Sequence, residues 1–438
     1  MNYTESLSYL YGLGHEVLAA KFGLDSVRLL LGRLGHPQRA FKSVLIAGTN
    51  GKGSVAAMLE SIISAAGHRT ALYTSPHLVR IEERIRVSGD EIPAPEFARL
   101  STLVRLTGEE LVNEGRLAAA PTFFEQLTAI AMLHFRDCNP DVAILEVGLG
   151  GRLDATNAVE PMVSVVTAID FDHQNILGDE ITQIASEKAA IIKSGCRAVI
   201  GRQPHVEASE VLMRRCLEEN VLPVFANEPS PSAANDYGRL TIDYESASSV
   251  YRRVMLGLRG RHQADNAAAA IEAGELLAES GLDIPREAII RGLRQAHWPG
   301  RLELIDDKPP MLLDGAHNLG GARSLRAFLE EFCRGPITLV FAAMGDKDID
   351  GMAAELFPIA RTLVLTRVRD RRSASTAVLG KFALKTSSNV IFSETVRQAL
   401  SWARSVTPPE GIVCVAGSLY LVGEVKQLME REDEQPAG

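Results

Sequence analysis

The apolar run Ser43-Val-Leu-Ile-Ala47 leads without a break into Gly48-Thr49-Asn50-Gly51-Lys52-Gly53-Ser54. A short apolar run that ends on glycines reads as a buried strand feeding a loop free of Cβ atoms. Downstream, Val55, Met58, Leu59, Ile62, Ile63 and Ala66 fall on one helical face, and Gly67 supplies a stop. A strand, a glycine loop and a helix in that order turn backbone N–H groups inward at an anion, and the helix N-terminus adds partial positive charge. Lys52 in such a loop reaches the β- and γ-phosphates of a nucleotide, and the Ser54 hydroxyl is placed to ligate Mg²⁺. The spacing departs from GxxxxGK[ST]. Only two residues separate Gly48 from Gly51, and Gly53 stands between the lysine and the serine.

The same alternation of strand and helix continues outward from the loop. Val142–Val147 and Val163–Thr167 read as further strands. After Trp298-Pro299-Gly300, which is turn chemistry, a second set begins: Met311–Leu313, Thr338–Phe341, Thr362–Leu365, Val390–Phe392 and Ile412–Val415. The pattern predicts an α/β protein with a mostly parallel sheet in a domain of residues 1–298. A smaller Rossmann-like α/β domain follows over 299–438. The Pro/Ser/Ala-rich stretch Asn227–Asn235 is expected as a loop inside the first domain, and the tail Glu430–Gly438 as frayed.

With 438 residues, 46% hydrophobic and 23% charged, the chain has the balance of a globular protein of two domains. A net charge of −9 argues against nucleic acid as the main partner, because that binding rests on a basic face. Five scattered cysteines without a CxxC pair read as reduced thiols. The N-terminus lacks a signal-peptide pattern and no apolar run approaches the roughly 18 residues of a span. A cytoplasmic protein without a membrane partner is expected.

Two strand ends carry candidate chemistry. Glu146 closes Val142–Val147, where ligands of open α/β sheets sit, and a carboxylate suits a hard cation such as Mg²⁺. The following Gly148-Leu-Gly-Gly151 imitates a dinucleotide fingerprint, but Leu153 holds the place of the third glycine. Asp170-Phe-Asp-His173 follows the next strand; none of the ten histidines forms HExxH. Lys188 lies in the helix-like segment Ile181–Lys193, where a lysine is ordinarily solvated. Past the linker come Arg301 and, at another strand end, Asp314-Gly-Ala-His-Asn318. No nucleophile triad motif is present.

Gly-Lys-Gly-Ser in this loop resembles the folylpolyglutamate synthase and dihydrofolate synthase branch of the Mur ligase superfamily. Five further stretches match in order: Thr74-Ser-Pro-His-Leu78, Leu145–Asn157, Ser186-Glu-Lys188, Pro299-Gly-Arg301 and Asp314–Asn318. The resemblance covers nearly the whole chain. It implies a Mur-ligase-like P-loop ATPase domain and an ATP-dependent joining of L-glutamate to a folate or to dihydropteroate. Mg²⁺ is implied at Ser54, Glu146 and His173, together with a monovalent cation such as K⁺. Gly48, Thr49, Asn50, Gly51, Lys52, Gly53 and Ser54 would hold the phosphates with Arg301. The resemblance assigns Asn266 to adenine, Asp314 to the ribose or to nucleotide positioning, and His317 to the reaction centre or the incoming amino acid.

The resemblance implies that Lys188 carries a carboxyl group, which requires a neutral amine and so a depressed pKa; the alternative is an unmodified lysine that contacts phosphate. Ser418 is a candidate for the glutamate carboxylate or else the cap of the final helix. For a pterin the resemblance points to Ser75, Pro76, His77, Thr122, Phe123, Phe124 and Glu125, although a pair of phenylalanines is more often core than a ligand platform. A monomer is expected. Two other functions stay open on sequence: a Mur-type ligase of a cell-wall precursor, and a P-loop NTPase switch that joins nothing.

Overall fold

The computed structural model describes residues 1–14, 23–234, 236–383 and 389–433. Its strands lie in sheets of eight, three and six. The first sheet contains β1 (Ser43–Ala47), β2 (Thr70–Tyr73), β3 (Ile85–Val87), β4 (Asp90–Glu91), β5 (Val142–Glu146), β6 (Val163–Val166), β7 (Arg197–Ile200) and β8 (Pro223–Phe225). Their spatial order is β4-β3-β2-β5-β1-β6-β7-β8. Pairing is parallel from β2 to β8, and only the β2–β3–β4 edge is antiparallel. Every residue of β1, β5 and β6 is buried, as expected of central parallel strands covered on both faces.

Leu45 of β1 pairs with Leu145 of β5 on one side and Ser164 of β6 on the other. The chain leaves β1 toward one side of the sheet and returns after β5 to the opposite side. The C-terminal ends of β1, β5 and β6 therefore border a switch-point crevice. Helices Lys52–Ala65 and His262–Glu279 close one face, and Phe123–Cys138, Ile181–Ala189 and Val206–Glu218 close the other.

The second sheet, β9 (Ser230–Ala234), β10 (Arg239–Glu245) and β11 (Val250–Arg259), is antiparallel. It corrects the expected loop at Asn227–Asn235. Residues Ser230–Ala234 form an edge strand, where a proline and small polar residues need satisfy only one ladder. Asn235 lies outside the described residues. Two other expectations change. The helix carrying Lys188 stops at Ala189 instead of Lys193, because Ile191 and Ile192 both turn into the core ahead of Gly195, which has φ +84°. The final helix Leu419–Asp433 runs through the start of the expected frayed tail, and 434–438 lie outside the described residues.

The third sheet joins β12 (Glu303–Ile305), β13 (Met311–Leu313), β14 (Ile337–Phe341), β15 (Thr362–Leu365), β16 (Val390–Phe392) and β17 (Ile412–Ala416). The order is β12-β13-β17-β14-β15-β16, all parallel except the β12 edge. No helix among the described residues is long and apolar enough to cross a membrane.

The helix that follows the phosphate loop is fixed from behind by Arg286–Gln295. Its Gly292 meets the backbone of Ile62 and Ser61; a Cβ there would lie 2.3 Å from the Ile62 Cα. Ser61 Oγ also donates to the Gly292 carbonyl at 2.8 Å. Gly292→Ala should destabilise the chain by about 1–3 kcal/mol through forced separation of the helices. Gly12→Ala, with nothing within 4 Å of the added carbon, should stay within about 0.5 kcal/mol of the parent. Urea midpoints of the two variants check this.

Candidate active site

A cavity of about 880 Å³ opens between the C-terminal ends of β1, β5 and β6 and those of β13, β14 and β17. Residues Gly48 to Ser54 form its floor. The glycines are there for space. A Cβ on Gly48 would fall 1.9 Å from Thr167 Oγ1, and one on Gly51 (φ +90°) 2.3 Å from Asn266 Oδ1. Gly53, the residue that breaks the usual spacing, packs against the Trp298 indole, where an added Cβ would lie only 2.8 Å from Nε1. Part of the loop backbone does not face inward. The Thr49 and Asn50 N–H groups donate to the Ala168 carbonyl at 2.9 and 3.2 Å. The amides opening helix Lys52–Ala65 have no intrahelical partner and remain for an anion.

Lys52 Nζ donates to the carbonyls of Gly48 at 3.0 Å and Thr49 at 3.2 Å. Burial pulls its pKa down, against the pull of Glu146 and Asp172. Lys188 Nζ reaches the same Gly48 carbonyl at 3.0 Å, and burial plus the neighbouring Lys52 charge lower it to about 7. Its helix is clasped by the glycine loop after β5. A Cβ on Gly151 would strike the Glu187 carbonyl at 2.7 Å, and Arg152 N–H donates to that same carbonyl at 2.8 Å. Those glycines seat Lys188 and leave no dinucleotide turn.

Glu146 and Ser54 are 5% and 4% exposed and both line the cavity. Glu146 accepts the Ser75 N–H at 3.2 Å; burial raises its pKa and Lys52 pulls it back. A hydroxyl and a buried carboxylate are hard oxygen donors that fit Mg²⁺, with its remaining positions left to water and phosphate. No three His, Cys, Asp or Glu side chains among the described residues converge as a metal cluster. His173 has its Nε2 3.2 Å from Lys347 Nζ, and burial lowers it to about 4. The neutral ring accepts from the lysine, so the lone pair expected at a metal is engaged elsewhere.

Asp172, absent from the expected site, is the hub between the two lobes. Lys347 Nζ lies 2.6 Å from its Oδ1, and Asn318 Nδ2 donates to its Oδ2 at 3.1 Å and to Asn50 Oδ1 at 3.0 Å. Burial would raise this carboxyl, but Lys347, His317 and His173 more than offset it and hold it below the usual carboxylate range. Asp172 stood within Asp170–His173 and Lys347 within Asp346-Lys347-Asp348. Only their pairing, 175 residues apart, was unreadable.

Arg301, Asp314, His317 and Ser418 bring the second lobe to the same cavity. Asp314 accepts the N–H groups of Leu302 and Ala316, both at 2.9 Å, and burial raises it against the Arg301 charge. His317 Nδ1 donates to the Gly315 carbonyl at 2.8 Å, and burial lowers its pKa to about 4. Its Nε2 therefore carries a lone pair. Ser418 Oγ accepts the Tyr420 N–H at 3.2 Å, the capping role.

The candidate pterin walls divide. Ser75, Pro76, Thr122, Phe124 and Glu125 line the cavity. Thr122 and Glu125 spend polar groups on a capping box, though Glu125 Oε1 is buried without a partner. Phe123 and His77 lie outside the wall. Phe123 is core, between Arg84 at 5.6 Å and the stacked Tyr11 ring at 5.9 Å. His77 Nδ1 accepts from Arg84 Nε at 2.8 Å, and burial with that charge lowers it to about 3.

A phosphate loop facing a second α/β lobe across one cavity defines a ligase of Mur architecture. The Mur ligase middle domain matches residues 46–274, and the Mur ligase, glutamate ligase domain matches 300–419. The dihydrofolate synthase/folylpolyglutamate synthase of Bacillus subtilis is 34% identical over 440 residues, covering 98% of this chain and 99% of its own. A Haloferax volcanii relative, 35% identical over 437 residues, is longer, and the chain spans 51% of it. Mycobacterium tuberculosis folylpolyglutamate synthase complexed with ADP superposes with a TM-score of 0.91 at 30% identity, covering 99% of each chain. The chain belongs to the folylpolyglutamate synthase/dihydrofolate synthase family.

The depressed Lys188 pKa has a stability signature. From about pH 7 to its ordinary 10.5 the unfolded chain binds a proton there that the folded chain does not. Folding is therefore favoured as pH rises through that window, and below pH 7 the burial penalty is present in full. In CO₂-free buffer, the stability of the parent minus that of Lys188→Met should rise between pH 7 and 9 by up to about 1.4 kcal/mol per pH unit. Denaturant unfolding at both pH values measures it. A difference flat in pH would mean the buried amine keeps its proton.

Proposed function

We propose that the chain joins L-glutamate to folate and to 7,8-dihydropteroate, using ATP, through an acyl phosphate. One observation carries the reading: Lys52 and Ser54 of one lobe and Arg301, Asp314 and His317 of the other line a single cavity. A bare carboxylate is a poor electrophile, so it must be activated before an amine attacks it. The pterin-bearing acid lies along Ser75, Pro76, Thr122, Phe124 and Glu125, with its carboxylate toward the phosphate loop. Lys52 and Arg301 hold the charge of the γ-phosphoryl group as it passes to that carboxylate. Asn266 meets the adenine and Asp314 the ribose.

Ser54 and Glu146 would hold Mg²⁺, which would supply the remaining charge neutralisation, and a monovalent cation such as K⁺ would complete the set; His173, whose Nε2 is engaged by Lys347, would reach the ion only through water. Glutamate enters against Ser418, and the His317 Nε2 lone pair accepts a hydrogen bond from its amine. The amine nitrogen attacks the acyl carbon and gives up a proton, the C–O bond to phosphate breaks, and phosphate leaves carrying that proton. Closure of the 299–438 lobe on the 1–298 lobe keeps out water that would hydrolyse the intermediate. Lys188, with its lowered pKa and buried position, suits carboxylation by CO₂. The enzyme acts as a cytoplasmic monomer with no nucleic-acid or membrane partner.

Incubation with ATP, Mg²⁺, glutamate and either dihydropteroate or tetrahydrofolate should add one glutamyl mass to the acceptor. No product with either acceptor rejects the folate reading. ADP without product would point to a switch, and product only with a cell-wall precursor to the other ligase class. Lys52→Ala should cut ADP formation by about 100-fold or more. Protein equilibrated with ¹³C-bicarbonate should show a carbamate carbon signal that is missing from Lys188→Ala.

A further inference from the structure

Gln263 opens helix His262–Glu279 and is wholly buried beneath the phosphate loop. Its side chain touches both ends of the nucleotide site. Gln263 Nε2 donates to Ser54 Oγ at 3.2 Å, and Gln263 Oε1 accepts from Asn266 Nδ2 at 2.9 Å. Nε2 also lies 3.1 Å from His262 Nε2, on a ring that burial and the Arg301 charge hold neutral, at about 4. Ser54 and Asn266 are themselves 4% and 9% exposed. Water is thus poorly placed to satisfy any member independently, and each bond fixes the next.

A primary amide carries its donors on one atom and its acceptor on the other. The partners of Gln263 therefore cannot be chosen one at a time. With Nε2 toward Ser54, the serine oxygen is an acceptor and Asn266 must point an N–H at Gln263. If the Ser54 hydroxyl becomes the donor, Gln263 turns over and its N–H meets Asn266 Oδ1. A hydroxyl oxygen that ligates a cation gives up lone-pair density and becomes the better donor. The Asn266 oxygen fills the space beside Gly51, where an added Cβ would lie 2.3 Å from it, so the Asn266 amide packs next to the loop.

We infer that Gln263 is a positioning residue that couples the orientation of the Ser54 hydroxyl to that of the Asn266 amide, so that the metal end and the base end of the nucleotide are bound as one unit. The inference rests on the nucleotide reading of this site. It makes no contact between Gln263 and the nucleotide necessary, and it assigns the residue a role through its two neighbours.

The test is calorimetric and needs no turnover. ADP affinity is measured with Mg²⁺ and with a chelator, giving a Mg²⁺ enhancement factor for each protein. The factor should fall threefold or more on Asn266→Ala in the parent. In Gln263→Leu and in Gln263→Glu, which accepts at both ends and donates at neither, adding Asn266→Ala should change the factor by less than threefold. Thermal unfolding without ligand identifies the folded variants, and the near-isosteric Gln263→Glu carries the test if Gln263→Leu is unstable. A factor that ignores Asn266 in the parent, or that still depends on Asn266 once Gln263 is replaced, overturns the coupling. Failure of the parent to bind ADP under either condition would instead remove the nucleotide reading itself.

Discussion

Two buried ammonium groups, on Lys52 and Lys188, donate to one acceptor, the carbonyl oxygen of Gly48, each at 3.0 Å. The charges therefore lie no more than about 6 Å apart, where an effective dielectric of about 20 gives roughly 3 kcal/mol of repulsion. Burial moves both pKa values down; the Arg301 and Lys347 charges add to this at Lys52, and the Lys52 charge adds to it at Lys188, which moves to about 7. Glu146 cannot relieve this alone, because its own burial pushes its carboxyl toward the neutral form. What the site lacks is anionic charge at the glycine loop. A nucleotide triphosphate brings that charge, and the fold is arranged to wait for it.

Placing both lysines on Gly48 constrains the surrounding chain. The carbonyl must project from the end of β1, so Gly48 presses on Thr167 at the end of β6, too close for a side chain. The helix bearing Lys188 must come in under the glycine loop after β5, which is why Gly151 meets the Glu187 carbonyl. The second lobe is then anchored to the same region through Asp172, which takes Lys347 from across the cavity and shares Asn318 with Asn50 of the phosphate loop. A change at the loop is thus transmitted to the facing lobe through two hydrogen bonds and one ion pair, with few parts between.

Much of this was legible before any coordinates. Central parallel strands are buried on both faces, so β1, β5, β6, β14 and β17 write themselves as continuous apolar runs, and their ends locate the loops. The antiparallel sheet was missed because β9 is an edge strand built from Ser and Pro, whose composition reads as a loop. Phe123 and Phe124 are adjacent and chemically identical, and only the helix start at Thr122 decides that one faces the core and the other the cavity. His77 looked like a substrate contact because it follows Ser75-Pro76; its partner Arg84 turns it inward. Asp172 lay inside a strand-end motif already singled out, and Gln263 stands three residues before Asn266. Pairings across 175 or 209 residues leave no local trace in periodicity or spacing.

The proposed carboxylation of Lys188 fits this electrostatic frame better than a lasting ammonium would. Adding CO₂ to a neutral amine converts Nζ to an N–H that can still donate to the Gly48 carbonyl, so the anchoring bond survives. The charge at that position changes from positive to negative, and the repulsion with Lys52 becomes attraction. The new oxygens are hard donors in the cavity that Ser54 and Glu146 also line, the ligand type that suits Mg²⁺. The two requirements of carbamate chemistry, an unprotonated amine near neutral pH and exclusion of bulk water, are both met by the burial that seats Lys188 under the glycine loop. An unmodified lysine, when protonated, would keep that burial penalty next to a second cation until an anionic ligand arrived.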